Sequence, residues 1–491
     1  MDIATQLAQK DARIAQLEAE LAELKRLIFG QKSERFLAAG SADQLSLALG
    51  LGSIEAAETQ TEEIRYERNK PTQQSVHPGR HLLPEHLRRQ ERLIEPGVDT
   101  EGMVKIGEVV TETLQYKAAE LYVLREVRPK YLEKQADETG QEKTIIHIAD
   151  QPARPLPKSI AGNSLLVHLL ISKYQDHLPL YRQQKIFARE GVKLASSTLS
   201  DWVNAICDLL EPLYEKLRAE VLKQEYLMAD ESRIEVLDKT KQGKTHRGYM
   251  WVYYAPLSKT VLFDYQKGRG KQYPQQTLAD FEGFLQTDGY EIYDLLFDKK
   301  AGIELLGCMA HARRYFEKAL KNDKQRASHA LRFIQQLYQI ERRAKVEALD
   351  YEARNILRQQ QALPLLKALQ QWALEQYPQV LPKSLIAKAL FYFLQRTEKL
   401  SRYTQDGRLE IDNNYVENAI RPLALGRKNY LFAGSHKGAR NAAIIYSFIG
   451  SCEKAGIIPK QWFNDVISRI AEHHISNIEQ LLPSQWQKIQ N

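Results

Sequence analysis

The sequence predicts a multidomain α/β protein organised around one mixed-sheet domain. Three observations lead there. From residue 225 onward, strand-type segments alternate with helical ones; a heptad array opens the chain; and Pro/Gly-rich breaks with reversals of charge divide the 491 residues into stretches of domain size. Hydrophobic residues at 43% and charged residues at 27% are ordinary for a globular protein and exclude collagen-like or wholly disordered classes. The net charge of +7 and pI of about 8.9 permit a polyanion partner without requiring one. The three cysteines, Cys207, Cys308 and Cys452, form no CxxC pair and fit a reducing cytosol. No run approaches the ~20 apolar residues of a membrane span. The charged opening MDIATQLAQKDARIAQLE has no signal-peptide core, so a soluble, cytoplasmic protein is expected.

Residues 1–36 read as a coiled coil. Ile3, Lys10, Leu17 and Leu24 fall at a positions and Leu7, Ile14, Leu21 and Ile28 at d. Such a seam over 3–28 suits a homo-oligomer, and an amphipathic helix packed on its own domain is the alternative. Residues 37–64 read as a linker; 38–64 hold five acids and no Lys or Arg. Residues 65–93 reverse the sign, with seven Lys/Arg (among them Arg80, Arg88 and Arg89) against three acids, which suits phosphate contact or a solvated segment. The region 65–150 closes with β-type runs at 121–127 and 143–149, a small sheet module.

After QPARPLPKS (151–159) the chain turns helical to 224. Within it, YRQQKIFAREGVKLASSTLSDWVNAI reads as helix, Gly191 turn, helix, with Ser196 or Ser197 as cap and Thr198, Asp201 and Trp202 presented. A plain helical hairpin fits the apolar spacing better than a DNA-reading helix-turn-helix. From 225, EYLMAD, GYMWVYYA (248–255) and TVLFDY (260–265) read as a three-strand meander. A helix over 277–285, a strand in LQTDGY (285–290), a further helix, a strand IELLGCMA (303–310) and a helix opening at His311 follow. The order β-β-β-α-β-α-β-α is that of a ribonuclease-H-like domain over 225–444, with 318–402 as a long helical insertion. Residues 445–491 form a C-terminal helical domain.

Three acids stand out by position. Asp230 is expected to end the first strand, Asp288 the fourth, and Glu417 to lie on the helix after the insertion. The first and fourth strands are central neighbours in this fold, so the two Asp side chains converge and a helix can lay Glu417 against them. Carboxylates so close need a compensating cation. Two Mg²⁺, with Mn²⁺ as a substitute, supply it through hard oxygen ligands and can activate both oxygens of a phosphoryl transfer. Turn or surface positions would explain each acid singly. Arg421, on one helical face with Glu417, then Arg427 and Lys428, continue as a basic strip for DNA, while Asp412 reads as the helix cap. His311 can reach a scissile phosphate or simply open its helix; Arg313 and Arg314 beside it add two DNA-binding candidates. Cys308 reads as a small buried hydrophobe.

The blocks LIFGQKSERF (27–36), SKYQDHLPLYRQQKIFAREGV (172–192), LMADES (227–232), LQTDGY (285–290), CMAHARRYF (308–316), IDNNYVENAIRPLALGRKNYLFAGS (411–435) and IYSFI (445–449) occur in order over nearly the whole chain. In these the sequence resembles the IS sixty-six family of bacterial insertion-sequence transposases. The resemblance implies a DDE transposase with catalytic acids at Asp230, Asp288 and Glu417, an N-terminal leucine zipper, a short C-terminal domain and accessory proteins from the same element. It also implies work on the bacterial nucleoid. One departure matters. The family's Cys-type zinc module falls near 65–131, where this chain has no cysteine, which puts zinc there in doubt. A nuclease that cleaves without joining, and a non-enzymatic DNA-binding dimer, are the rival readings.

Overall fold

A computed structural model describes Leu121, Val123 and residues 130–136, 142–148, 154–156, 159–238, 244–297 and 302–487, with only the backbone for 130–148. The chain divides into two units, 1–118 and 119–491, and all that follows concerns the second. The coiled coil at 3–28, the linker, the basic segment 65–93 and Arg80, Arg88 and Arg89 therefore lie outside the described residues.

β1 (Lys130–Ala136) and β2 (Glu142–Ile148) pair antiparallel, Lys130 opposite Ile148. The second expected strand of this module matches β2. The first, at 121–127, lies almost wholly outside the described residues; the strand that pairs with β2 is Lys130–Ala136.

Three helices follow: α1 (Asn163–Tyr174), α2 (Leu180–Arg189) and α3 (Ser196–Leu222). Gly191, at φ 86°, makes the turn between α2 and α3, a conformation open to glycine at no steric cost. Ala195, not a serine, precedes α3, and no side chain caps it. Trp202 is buried with Leu199, Val203, Ile206, Leu210 and Leu213 along one face of α3. The expectation that Trp202 is presented to a partner is corrected: it sits on the apolar stripe that packs α3 into the core.

The main sheet contains β3 (Tyr226–Leu237), β4 (Thr245–Ala255), β5 (Thr260–Gln266), β6 (Gly283–Gln286) and β7 (Ile303–Leu306), in the spatial order β5-β4-β3-β6-β7. β3, β4 and β5 form the antiparallel meander; β6 and β7 run parallel to β3. The parallel strands need crossovers, which α4 (Gln272–Thr277) and α5 (Glu291–Phe297) provide. The helix expected over 277–285 is thus displaced: α4 ends at Thr277 and Gly283–Gln286 is strand, held between Glu225 and Gly302. β7 is also shorter than expected, and α6 (Met309–Ala319) opens two residues before His311.

The insertion consists of α7 (Lys324–Val346), α8 (Tyr351–Leu357) running through a π-turn at Arg358–Ala362 into α9 (Leu363–Gln376), and α10 (Leu385–Ser401). Its inner face is tied down by Arg358, which has no solvent exposure. The Arg358 guanidinium donates to Glu341 and to the carbonyls of Tyr403, Asp406 and Leu409, at 2.8–2.9 Å. Arg354 adds bonds to Glu341, Glu410 and the Gly407 carbonyl. One buried and one half-buried cation thus organise the segment leading into α11 (Asn414–Tyr430).

α12 (His436–Ala455) runs unbroken across position 445 and lies along β5, the outer strand of the meander. Outer strands leave unpaired N–H and C=O groups. Here Ser447 Oγ accepts from Phe263 N at 2.8 Å and Ser451 Oγ accepts from Val261 N at 3.0 Å. Tyr214 Oη donates to the Phe263 carbonyl at 2.7 Å. Two serines one helical turn apart therefore stand where another strand would pair. α13 (Pro459–Arg469) and a 3₁₀ segment, Ile475–Leu481, close the described chain. No helix among the described residues is long and apolar enough to cross a membrane.

Candidate active site

Asp230 is the fifth residue of β3, not its last. β3 stays paired with β4 as far as Leu237↔Thr245 because Ser232, Ile234 and Val236 keep alternate side chains buried. What ends near Asp230 is the pairing with β6, whose last pair is Met228↔Gln286. Two residues further on from that pair stand Asp230 and Asp288. Asp288 lies in the turn that follows β6, close enough that its charge acts on Asp230.

Local bonds fix the end of β6. The Gln286 side-chain amide donates to the carbonyls of Gly307 and Glu410, at 3.0 and 2.9 Å. The chain then turns: Asp288 Oδ1 accepts from Tyr290 N at 2.9 Å, and Gly289 sits at φ 91°. A Cβ at Gly289 would also meet Arg396 Nε at 2.7 Å, so glycine is required twice over. α10 holds this turn from outside. Tyr392 Oη donates to the Asp288 carbonyl and Arg396 to the Gly289 carbonyl, both at 2.9 Å.

Glu417 arrives from the other side, in the first turn of α11. The preceding residues lie against the sheet: Met309 N donates to Ile411 O at 3.1 Å, and the Asn413 amide donates to Ala229 O at 3.0 Å. Asn413 is fully buried and does not share the open face of Glu417. Asp412, expected as the helix cap, instead accepts from Asn414 N and from Tyr338 Oη, while Asn413 occupies the cap position without a side-chain bond to the helix N-terminus.

The electrostatics are strained towards a cation. Burial pushes the Asp230 carboxyl well above the usual carboxylate range, and Asp288, Glu231 and Glu417 add to the push; the Glu231 N–H, at 2.7 Å, opposes it. Glu231 is also pushed up by burial, against the pull of Arg269. Arg269 hydrogen-bonds Glu231 and lies 3.7 Å from the Tyr290 ring centroid. Sequence reasoning missed this Glu231–Arg269–Tyr290 chain; only the adjacency of Glu231 to Asp230 could have signalled it.

Arg314 meets Glu417 with two bonds, 2.9 Å to Oε1 and 2.6 Å to Oε2. It also lies 2.9 Å from His311 Nε2. A guanidinium only donates, so Nε2 accepts and the His311 proton is on Nδ1, which faces Glu417 at 3.8 Å. Burial and Arg314 push the His311 pKa down, against Asp288, Glu417 and Asp412, which favours this neutral ring. Cys308 is buried and its thiol is pushed up to about 12 by burial, as befits a packed hydrophobe. Among the described residues no group of three or more His, Cys, Asp or Glu side chains stands close enough to hold a metal ion. Glu417 faces Arg314 instead.

The basic candidates divide. Arg313 pairs with Glu317 at 3.0 Å. Arg427 donates to Ser232 Oγ and the Arg233 carbonyl, at 2.9 and 2.6 Å, and so fastens α11 to β3. Arg421 and Lys428 are exposed on α11 and make no hydrogen bond or ion pair among the described residues.

The family described as "Transposase IS66 family" matches residues 158–441, from α1 into α12. "Transposase C of IS166 homeodomain" matches 16–92 and "IS66 C-terminal element" matches 447–484. The chain is 32% identical to the uncharacterized protein y4jD of Sinorhizobium fredii, over 97% of this chain and 96% of the relative. It is 34% identical to y4qI of the same organism, over 96% and 89%. No solved structure matches. With a transposase-family match over more than half of its length, the chain belongs to the IS66 family of transposases.

Proposed function

We propose that the protein is a DDE transposase that cuts DNA at the ends of an insertion sequence and joins the freed 3′ end to target DNA. The observation that carries this reading is that the charges of Asp288, after β6, and Glu417, on α11, both bear on Asp230 in β3. The strand order, with three antiparallel strands and two parallel ones, supports a ribonuclease-H-like core.

The donor set suits Mg²⁺, with Mn²⁺ as a substitute: hard oxygens, one of them buried and repelled by its neighbours. Asp230, Asp288 and Glu417 would hold two ions, whose chemistry when bound is to make a water or a 3′-hydroxyl nucleophilic and to stabilise the leaving oxygen. The chain's own residues orient the substrate. Arg421 and Lys428 are free to take up backbone phosphates beside the acids. His311, neutral with its proton on Nδ1, can donate a hydrogen bond to a phosphate oxygen once Glu417 moves. Arg314, between them, is within reach of the same charge.

The remaining parts belong to the same proposal. A coiled coil over 3–28 pairs protomers, as two DNA ends require; Arg80, Arg88 and Arg89 contact element-end DNA; accessory proteins of the element join the complex; and the work takes place on the bacterial nucleoid. Incubating the protein with labelled end DNA, target plasmid and Mg²⁺ tests the reading. Joined products are expected. Nicks without joining would make it a nuclease, and wild-type joining by Glu417→Gln would remove the triad.

A further inference from the structure

The junction between α11 and α12 holds the most strained backbone near the site. Leu431 has φ 63° and ψ −47°, and Phe432 N donates to Tyr430 O at 2.7 Å. This is a three-residue γ-turn of the rare, strained hand, with a branched side chain at its centre. Such strain survives only where the surroundings impose it. Here they do so from both sides. Leu431 N bonds back to Arg427 O at 3.0 Å, and Ala433 exchanges two 2.8 Å backbone bonds with Glu235 and Leu237 at the end of β3.

The strain is not offset by burial. Leu431 is 65% exposed and Phe432 39% exposed. A rigid turn therefore holds two large apolar side chains out into solvent. The open face of α11 leads towards them: Glu417, Arg421, Leu425 and Lys428 follow at helical spacing, and the helix then ends at Tyr430, directly before the turn. The nearest acid on β3, Glu235, is engaged by Thr245 and Arg247.

We propose that Leu431 and Phe432 form a wedge that enters the base stack of bound DNA; this rests on the transposase reading above. Arg421 and Lys428 on the approach, exposed and unpaired among the described residues, select a polyanion over an apolar protein surface. Apolar side chains on a fixed backbone are the means by which proteins part base steps and kink a duplex. The fold also sets the distance. From Glu417 to Leu431, fourteen residues of helix span roughly 21 Å. From Asp230 to Val236, beside the turn, six residues of strand span roughly 20 Å. At 3.4 Å per base step, both measures set the wedge about six base pairs from the cleavage point.

The test uses the full-length chain with Glu417→Gln, so that DNA is bound and not cut. The probe is a duplex of the terminal sequence flanking the gene, with 2-aminopurine placed in turn at each step about four to eight base pairs from the cleavage point. Enhanced fluorescence is expected near the sixth step, and its loss in Leu431→Gly and Phe432→Ala. Leu431→Gly keeps the turn and relieves its strain, so its melting temperature should not fall and misfolding cannot explain the loss. Bound DNA without enhancement at any step, or enhancement that persists in both variants, overturns the wedge and leaves the transposase reading intact. Failure of the chain to bind any such duplex overturns both.

Discussion

Arg314 binds both carboxylate oxygens of Glu417, at 2.9 and 2.6 Å, so the acid of the α11 helix already has a cation, supplied by α6. Glu417 cannot hold Arg314 in this way and also ligate a divalent ion. Arg314→Gln is therefore expected to tighten Mn²⁺ binding in calorimetry. The pair is half-exposed and worth at most about 1 kcal/mol, which limits the gain to roughly fivefold. Unchanged Mn²⁺ affinity would show that the pair does not compete.

Asp230→Asn removes a buried carboxylate whose charge burial and three neighbouring acids oppose. Melting temperature is expected to hold or rise while end cleavage falls by about a thousandfold or more, a gain in stability at the expense of activity. A variant that melts lower yet cuts normally would contradict both halves.

Glu341 sits against fully buried Arg358. Burial alone would push its carboxyl up; the hydrogen bonds and charge of Arg358, then Arg354, outweigh burial and hold it below the usual 4.5. A lowered carboxyl pKa means stability that is fully present above the ordinary value and is lost as pH falls through the folded one. Glu341→Gln leaves Arg358 without its counter-charge and should cost about 3–5 kcal/mol at neutral pH. Urea denaturation at neutral and acid pH reads both effects, and the gap between variant and wild type should shrink below about pH 4.

Ser447→Ala and Ser451→Ala strip the cover from β5. Each leaves a buried backbone N–H without a partner, at about 1–3 kcal/mol. The amides of Phe263 and Val261 should exchange with deuterium faster in the respective variants. Unaltered exchange would show that the strand does not depend on the serines.

Replacing Arg80, Arg88 and Arg89 together by Ala removes three candidate phosphate contacts. The slope of log K against log salt for end DNA should become shallower by about 2–3. An unchanged slope takes the segment out of the interface.

Much of the arrangement was legible in the sequence because its signals are local. Aromatic and β-branched runs marked β4 and β5, and the acids at 230, 288 and 417 stood out by position. Limits of elements were less legible for a physical reason. Asp230 looks like a strand end, since polar residues follow it, yet pairing with β4 carries the strand on to Leu237. The same holds for β6, a four-residue strand preceded by Asp280 and Glu282, with no periodicity of its own. Contacts that join distant segments left no trace: nothing in the residues alone says that Arg427 turns to Ser232, that Arg314 covers Glu417, or that Arg269 reaches Glu231.

The bonds from α10 to the Asp288 turn, and from Arg354 and Arg358 to residues 403–410, bear on how the protein is made. Synthesis runs from the N-terminus, so β3 to β7 leave the ribosome well before Tyr392 and Arg396 exist to secure Asp288, and before Glu417 exists at all. A product truncated in the insertion before Tyr392 would carry the whole sheet, Asp230 and Asp288, with the Asp288 turn unsecured. Only a chain translated through the first turn of α11 carries all three acids, so under the function proposed above a chain ended within the insertion would lack Glu417 and with it a complete site.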